Sequence, residues 1–290
     1  MVGYIGGALA LLLGVECIRE LNMFRVTHYR IDSPKLKTLG EEKKIVFLSD
    51  LHNKVYGNNN EELIRTIAAQ QPDLILIAGD MLIGKEGADI DPAVDFVKRL
   101  PRICPVYYGN GNHEQRMKEQ PEKYGDVYER FRGKLVDAGV KFLENETVSL
   151  DWIGVEAVVS GAEYSMRYFE KFKRYEMPVE EIESRIGKAD PHKYQILIAH
   201  NPVYFQTYKR WGADLVVSGH LHGGIVRIPG IGGVITPQAW LFPRYSGELT
   251  VDGDSSLVVS KGLGTHTVNM RLFNKAEVIV LHFGHSCVTA

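Results

Sequence analysis

The chain has 290 residues, with 34 Lys and Arg against 36 Asp and Glu, a formal net charge of −2, 44% hydrophobic and 24% charged residues. These are ordinary globular proportions, and they exclude a disordered tail, a collagen-like repeat and a long coiled coil. The even charge balance argues against a dedicated nucleic-acid binder, which carries a basic excess. Three scattered cysteines, Cys17, Cys104 and Cys287, make neither a disulfide framework nor a C-x-x-C metal site.

Residues 1–15 carry no charged side chain, and the first charges are Glu16, Arg19 and Glu20. The run is short against the roughly 20 residues that cross a bilayer core, but Ile18, Leu21, Met23 and Phe24 extend its apolar face. No basic stretch precedes it, which argues against a cleaved signal peptide. Residues 1–24 are therefore expected to form a membrane-anchoring helix, with 25–43 as a connector. Arg19, Arg25, Arg30, Lys35 and Lys37 follow the run, which favours a cytoplasmic face. The competing reading is an apolar helix docked on the protein's own surface.

From residue 44 onward, short apolar runs end abruptly in polar residues. Residues 45–48 lead into Asp50 and His52, 74–78 into Gly79 and Asp80, and 105–108 into Asn112, His113 and Glu114. Residues 196–199 lead into His200, and 215–218 into His220 and His222. Runs rich in Ile, Leu and Val read as strands buried on both faces. Between them, 60–70, 92–100 and 127–138 have helical spacing. Strand–helix alternation predicts an α/β layered domain, with ligands outside the carboxyl ends of its strands. Further strand candidates at 148–153, 155–160, 248–251, 256–260 and 277–282 predict a second sheet, and one domain over 44–285.

Singly, each polar cluster reads as a turn. Together they supply two carboxylates (Asp50, Asp80), four imidazoles (His52, His200, His220, His222) and one amide oxygen (Asn112). Mixed nitrogen and oxygen donors suit Mn, Fe or Zn rather than calcium. Seven ligands exceed one tetrahedral site and fit two divalent ions sharing a carboxylate, for which Asp80 is the candidate. Two such ions against two carboxylates leave a charge of roughly +2, suited to a phosphate ester.

The ordered set Asp50-x-His52, Gly79-Asp80, Gly111-Asn112-His113-Glu114, His200 and Gly219-His220-x-His222 resembles the calcineurin-like metallophosphoesterase family. The likeness runs from about residue 44 to 283. It extends to the stretch 222–230, to Gly262-Leu263-Gly264 and to Arg271-Leu272-Phe273. It is nearest to small bacterial phosphoesterases with an amino-terminal membrane segment. His266 and the pair Asn269-Met270 depart from the family pattern. The resemblance implies a four-layer α/β/β/α sandwich of two stacked mixed sheets, with a di-metal site at the carboxyl ends of the central strands. It implies one metal on Asp50, His52, Asp80 and His222, and a second on Asp80, Asn112, His200 and His220. It also implies hydrolysis of a phosphodiester or pyrophosphate by a metal-activated hydroxide, with His113 as general acid. Glu114 either orients His113 or lies on the surface.

The expected partner is a phosphate-ester substrate, lipid-linked or nucleotide. A lipid-precursor pyrophosphohydrolase resembling UDP-2,3-diacylglucosamine hydrolases is the specific alternative, and a non-catalytic metal-binding scaffold the alternative of another class. Residues 167–175 are basic and aromatic, and read as a substrate-gripping cap, an amphipathic helix on anionic lipid or a solvated helix. Asn53, Tyr56 and Asn201 read as turn residues beside ligands. His28, His192, His282 and His285 read as structural or exposed.

Overall fold

The computed structural model describes residues 2–173, 175–228, 230–236, 240–265 and 268–284. Arg174, His266, His285 and Cys287 lie outside them. One six-stranded sheet contains β1 (Phe24–Ile31), β2 (Lys43–Leu48), β3 (Leu74–Ala78), β4 (Val106–Gly109), β5 (Val140–Phe142) and, from the far end of the chain, β14 (Ala276–Phe283), in the order β1-β14-β2-β3-β4-β5. The other contains β6 (Glu146–Leu150), β7 (Ala157–Gly161), β8 (Tyr194–Ile198), β9 (Leu215–Ser218), β12 (Glu248–Asp252) and β13 (Ser255–Val259), in the order β12-β13-β9-β8-β7-β6. A two-stranded ribbon, β10 (Arg227–Ile228) with β11 (Gly232–Gly233), stands apart. Both large sheets are mixed. Strands β2 to β5 run parallel and β14 antiparallel to β2, while β7, β8, β9 and β13 run parallel between antiparallel β6 and β12.

Alternation along the strands builds four layers. Ile45 and Phe47 of β2 face Ile196 and Ile198 of β8 in a core between the sheets. Val46 and Leu48 face outward, onto a core shared with α2 (Glu61–Ala69), α3 (Asp91–Val97), α4 (Asn112–Glu119) and α6 (Val127–Asp137). Leu197 and Val216 face α7 (Val179–Ile186) and α8 (Phe205–Trp211) on the far side. This is the expected α/β/β/α sandwich. Each central strand is covered on both faces, which is why its sequence is continuously apolar rather than alternating.

Two expectations for the amino terminus change. Residues 24–31, the last residue of the expected anchor and the first seven of the expected connector, pair along their whole length with β14 and so belong to the sheet. The membrane anchor is corrected as well. The first helix, α1 (Val2–Asn22), contains Glu16, Arg19 and Glu20. Its uncharged part, at 1.5 Å per residue, spans about 20 Å against a hydrocarbon core of about 30 Å. Among the described residues no helix is long and apolar enough to cross a membrane. Glu20, far from facing lipid, is 2% exposed and accepts a hydrogen bond from Asn274 N at 2.8 Å.

Candidate metal centre

Strands β2, β3 and β4 of one sheet and β8 and β9 of the other end side by side. Their carboxyl ends deliver Asp50 and His52, Asp80, Asn112 and His113, His200, and His220 with His222. All eight side chains are buried. Five of them, Asp50, His52, Asp80, His220 and His222, have φ between 48° and 69°, a region that non-glycine residues rarely occupy. Such strain persists only where surrounding contacts over-determine it, and it turns these side chains back toward one point. The turns fit because neighbouring glycines let backbones touch. A Cβ on Gly111 would fall 2.2 Å from Asp80 Oδ1.

Three groups of donors lie close enough to hold ions, with ligand atoms within 4.8 Å of one another: Asp50, His52 and His222; His52, Asp80 and His113; and Asp80, His200 and His220. His200 Nε2 stands 3.1 Å from Asp80 Oδ2, and His222 Nε2 stands 3.3 Å from Asp50 Oδ1. Asp80 is common to two of the groups, and so is His52.

The hydrogen bonds fix which ring atoms face the centre. His52 Nδ1 lies 3.2 Å from Leu82 O, His222 Nδ1 3.2 Å from Gly264 O, and His200 Nδ1 2.6 Å from Ala78 O. A carbonyl oxygen only accepts, so each Nδ1 carries a proton and each ring turns Nε2 toward the centre, where it can ligate a metal once that atom is deprotonated. The Nε2 atoms of His52 and His222 then face each other at 3.1 Å. Beside the Asp50 carboxylate, two ring nitrogens at that distance can converge on one cation. The buried Oδ1 of Asn112 has no hydrogen-bond partner, again as a metal ligand would be left. Burial alone would raise the carboxyl groups of Asp50 and Asp80. The surrounding imidazoles, His222 foremost for Asp50 and His200 for Asp80, hold both well below the usual carboxylate range. The donor set therefore fits two divalent metal ions.

The sequence matches the calcineurin-like phosphoesterase family over residues 43–224. The chain belongs to that family. It is 27% identical to an uncharacterized metallophosphoesterase of Aquifex aeolicus over 94% of this chain and 97% of that one. It is 25% identical to phosphodiesterase YaeI of Escherichia coli over 82% of this chain and 81% of that one. Among solved structures, phosphopantetheinyl hydrolase PptH from Mycobacterium tuberculosis aligns with 14% identity and a TM-score of 0.47, over 80% of this chain and 96% of that one.

In this phosphoesterase, Glu114 is neither a partner of His113 nor a surface residue. It is fully buried, and its carboxylate accepts from Asp80 N (2.8 Å), Gly111 N (3.1 Å), Leu82 N (3.2 Å) and Tyr108 Oη (2.8 Å). It thus ties the Asp80 turn to the Asn112 turn. Burial and the Asp80 charge push its pKa up to about 7, while the four donors favour the carboxylate. His113 is held instead by Gly84, whose N–H donates to Nδ1 at 2.7 Å. Nothing in the sequence around Gly84 signals that contact.

Among the described residues of the stretch 167–175 there is no amphipathic helix. Met166–Phe169 is a short 3-10 turn, with Arg167 lying over the rings of Tyr168 and Tyr175. Phe169 packs its ring edge-on against His220, centroids 5.2 Å apart, and so walls the His200–His220 side. Asn201 caps the following turn and binds Tyr168 O, while Tyr56 donates to Leu263 O, so both are structural. His28 and His282 form a surface pair, Nδ1 to Nε2 at 2.9 Å, with Glu42 on the far side of His282.

Proposed function

We propose that the chain is a metal-dependent phosphodiesterase in which Asp50, His52, Asp80 and His222 hold one divalent ion and Asp80, Asn112, His200 and His220 the other. The convergence of the His52 and His222 Nε2 atoms, 3.1 Å apart beside the Asp50 carboxylate, supports this reading, because one divalent ion there would bind both rings. Mn, Fe and Zn suit these donors. Two such ions, when bound, polarise the phosphoryl group and acidify water.

The protein's own residues do the rest. Asp50 is held by Ser49 Oγ at 2.5 Å and by His220 N at 3.1 Å to both its oxygens. Asp80 Oδ1 accepts from His113 N at 2.9 Å, which leaves Oδ2 for the centre. Because Gly84 N–H occupies Nδ1, neutral His113 carries its proton on Nε2, the atom 3.9 Å from Asp80 Oδ2. From there it can donate to the leaving oxygen. The diester preference is supported by the name of the YaeI relative. The lipid-precursor reading drew on the amino-terminal anchor and has lost that support. A scaffold reading predicts missing groups, and every expected donor is present.

The test is a substrate panel on Mn-loaded full-length protein. It compares bis-p-nitrophenyl phosphate, p-nitrophenyl phosphate, cyclic nucleotides and nucleotide-diphosphate lipids. Turnover of the diesters supports the proposal. Activity confined to the monoester overturns the diester preference, and no activity with two ions bound overturns the enzyme reading.

A further inference from the structure

Arg271 takes no part in the chemistry above, yet it is among the largest fully buried side chains. Its guanidinium donates to four main-chain carbonyls. Nη1 reaches Asn274 O at 3.0 Å, and Nη2 reaches Lys261 O at 3.0 Å, Gly262 O at 2.9 Å and Gly264 O at 2.7 Å. A buried cation is costly unless its donors are satisfied, and here carbonyl dipoles satisfy it. One of these carbonyls, Gly264 O, also reaches a proposed metal ligand.

Gly264 O takes the Nδ1–H of His222 at 3.2 Å, while Gly264 N donates to Asp50 O at 2.6 Å. Gly262, at φ +74°, lies so close that a Cβ would come within 2.9 Å of Asp50 Cβ and 3.2 Å of His222 Nδ1. Asn274, whose own carbonyl Arg271 holds, donates its side-chain amide to His222 O at 2.7 Å and to Gly224 O at 2.8 Å. Ring and main chain of His222 are therefore held by separate hydrogen bonds, and both lead back to one guanidinium.

We infer that Arg271 and Asn274 form a clasp that positions His222, setting its tautomer and aiming Nε2 at the ion shared with Asp50 and His52. Both are positioning residues; neither faces the substrate. An arginine is required because its planar fork spans carbonyls on two segments at once, whereas a lysine ammonium is a single point of donation. The inference rests on the reading of His222 as a ligand.

The test is a Mn2+ titration of metal-stripped full-length protein, following free Mn2+ by electron paramagnetic resonance, with thermal unfolding measured alongside. Wild type is compared with Arg271→Lys, Asn274→Ser and His222→Ala. Loss of an outer partner of a metal-bound histidine weakens metal binding about 10–100-fold. Arg271→Lys and Asn274→Ser should bind one equivalent as wild type does and the other weaker by that factor. Wild-type affinity for both equivalents, whatever the change in melting temperature, overturns the clasp, and so does equal weakening of both. Wild-type affinity in His222→Ala overturns the ligand reading instead. Should Arg271→Lys fail to fold, Asn274→Ser carries the same expectation and the same refutation, because it removes only the two bonds to the His222 and Gly224 carbonyls.

Discussion

Gly84 donates its main-chain N–H to Nδ1 of His113 at 2.7 Å. That one bond decides how His113 is used. With Nδ1 occupied as an acceptor, the neutral ring presents Nε2–H, a donor, to the cleft. In His113→Asn the side-chain oxygen can still accept from Gly84, but the Nε2 donor is gone. We expect this variant to keep both metals and to lose about 10²–10⁴-fold in kcat on an alkyl phosphodiester. The loss on a p-nitrophenyl diester should be smaller, because that leaving group needs little protonation. Steady-state kinetics on the two esters check this, and equal losses would exclude proton donation by His113.

Asp80 belongs to two of the three donor groups. On the proposed sharing of Asp80, Asp80→Asn removes a charge that both ions use, so neither is expected to bind at full occupancy. Elemental analysis of the purified variant should find well under two ions per chain. Two tightly held ions would refute the shared-carboxylate assignment.

Metal loading should depend on pH with a definite sign. Burial disfavours the charged His200 imidazole, but the Asp80 carboxylate at 3.1 Å outweighs it and lifts the His200 pKa to about 9 in the metal-free protein. Below that pH a proton on Nε2 stands where an ion must bind, and binding has to expel it. Apparent metal affinity should therefore rise with pH and level off near 9, with proton release on loading below that point. Calorimetry in buffers of different ionisation enthalpy measures the release. No release at pH 7 would mean that His200 is neutral before metal arrives.

Most of the centre was legible in the sequence because it is built from strand ends. An apolar run that stops at Asp or His says both where a strand ends and what stands there, and the sheet brings the ends together. The Glu114 role was not legible. Adjacency to His113 suggested a partnership, but helical geometry turns the two side chains apart, and the carboxylate points back under the Asp80 turn. Strand β1 was hidden for another reason. Its sequence, FRVTHYRI, mixes polar and apolar residues as a partly exposed edge strand does, and its partner β14 begins at residue 276. The amino-terminal helix misled because hydropathy weighs the apolar run and ignores a single glutamate, and that glutamate is buried against Asn274 N.

Glu114→Gln isolates the tie between the turns. Its carboxylate accepts from four donors, and an amide turns one of its two acceptor atoms into a donor facing N–H or O–H groups. An unmet buried hydrogen bond costs about 1–3 kcal/mol. The variant should lose stability in that range, read by urea unfolding of metal-stripped protein, whichever metal the site prefers. An unchanged midpoint would mean that the turns hold their shape without it.

Glu20→Ala tests whether α1 is part of the folded domain. The Glu20 carboxylate is 2% exposed and satisfies Asn274 N, on the residue whose side chain holds the His222 carbonyl. Removing it leaves a buried N–H without its acceptor, at a cost of about 1–3 kcal/mol. Because the loss falls on the segment behind His222, α1 should become more sensitive to limited proteolysis, and metal affinity should fall in the same variant. Glu16→Ala supplies the control: Glu16 pairs with Arg19 on the exposed side of the helix, and such surface pairs contribute little. Proteolysis and metal titration of the two variants side by side should separate them, and identical behaviour would mean that α1 docks without its buried carboxylate.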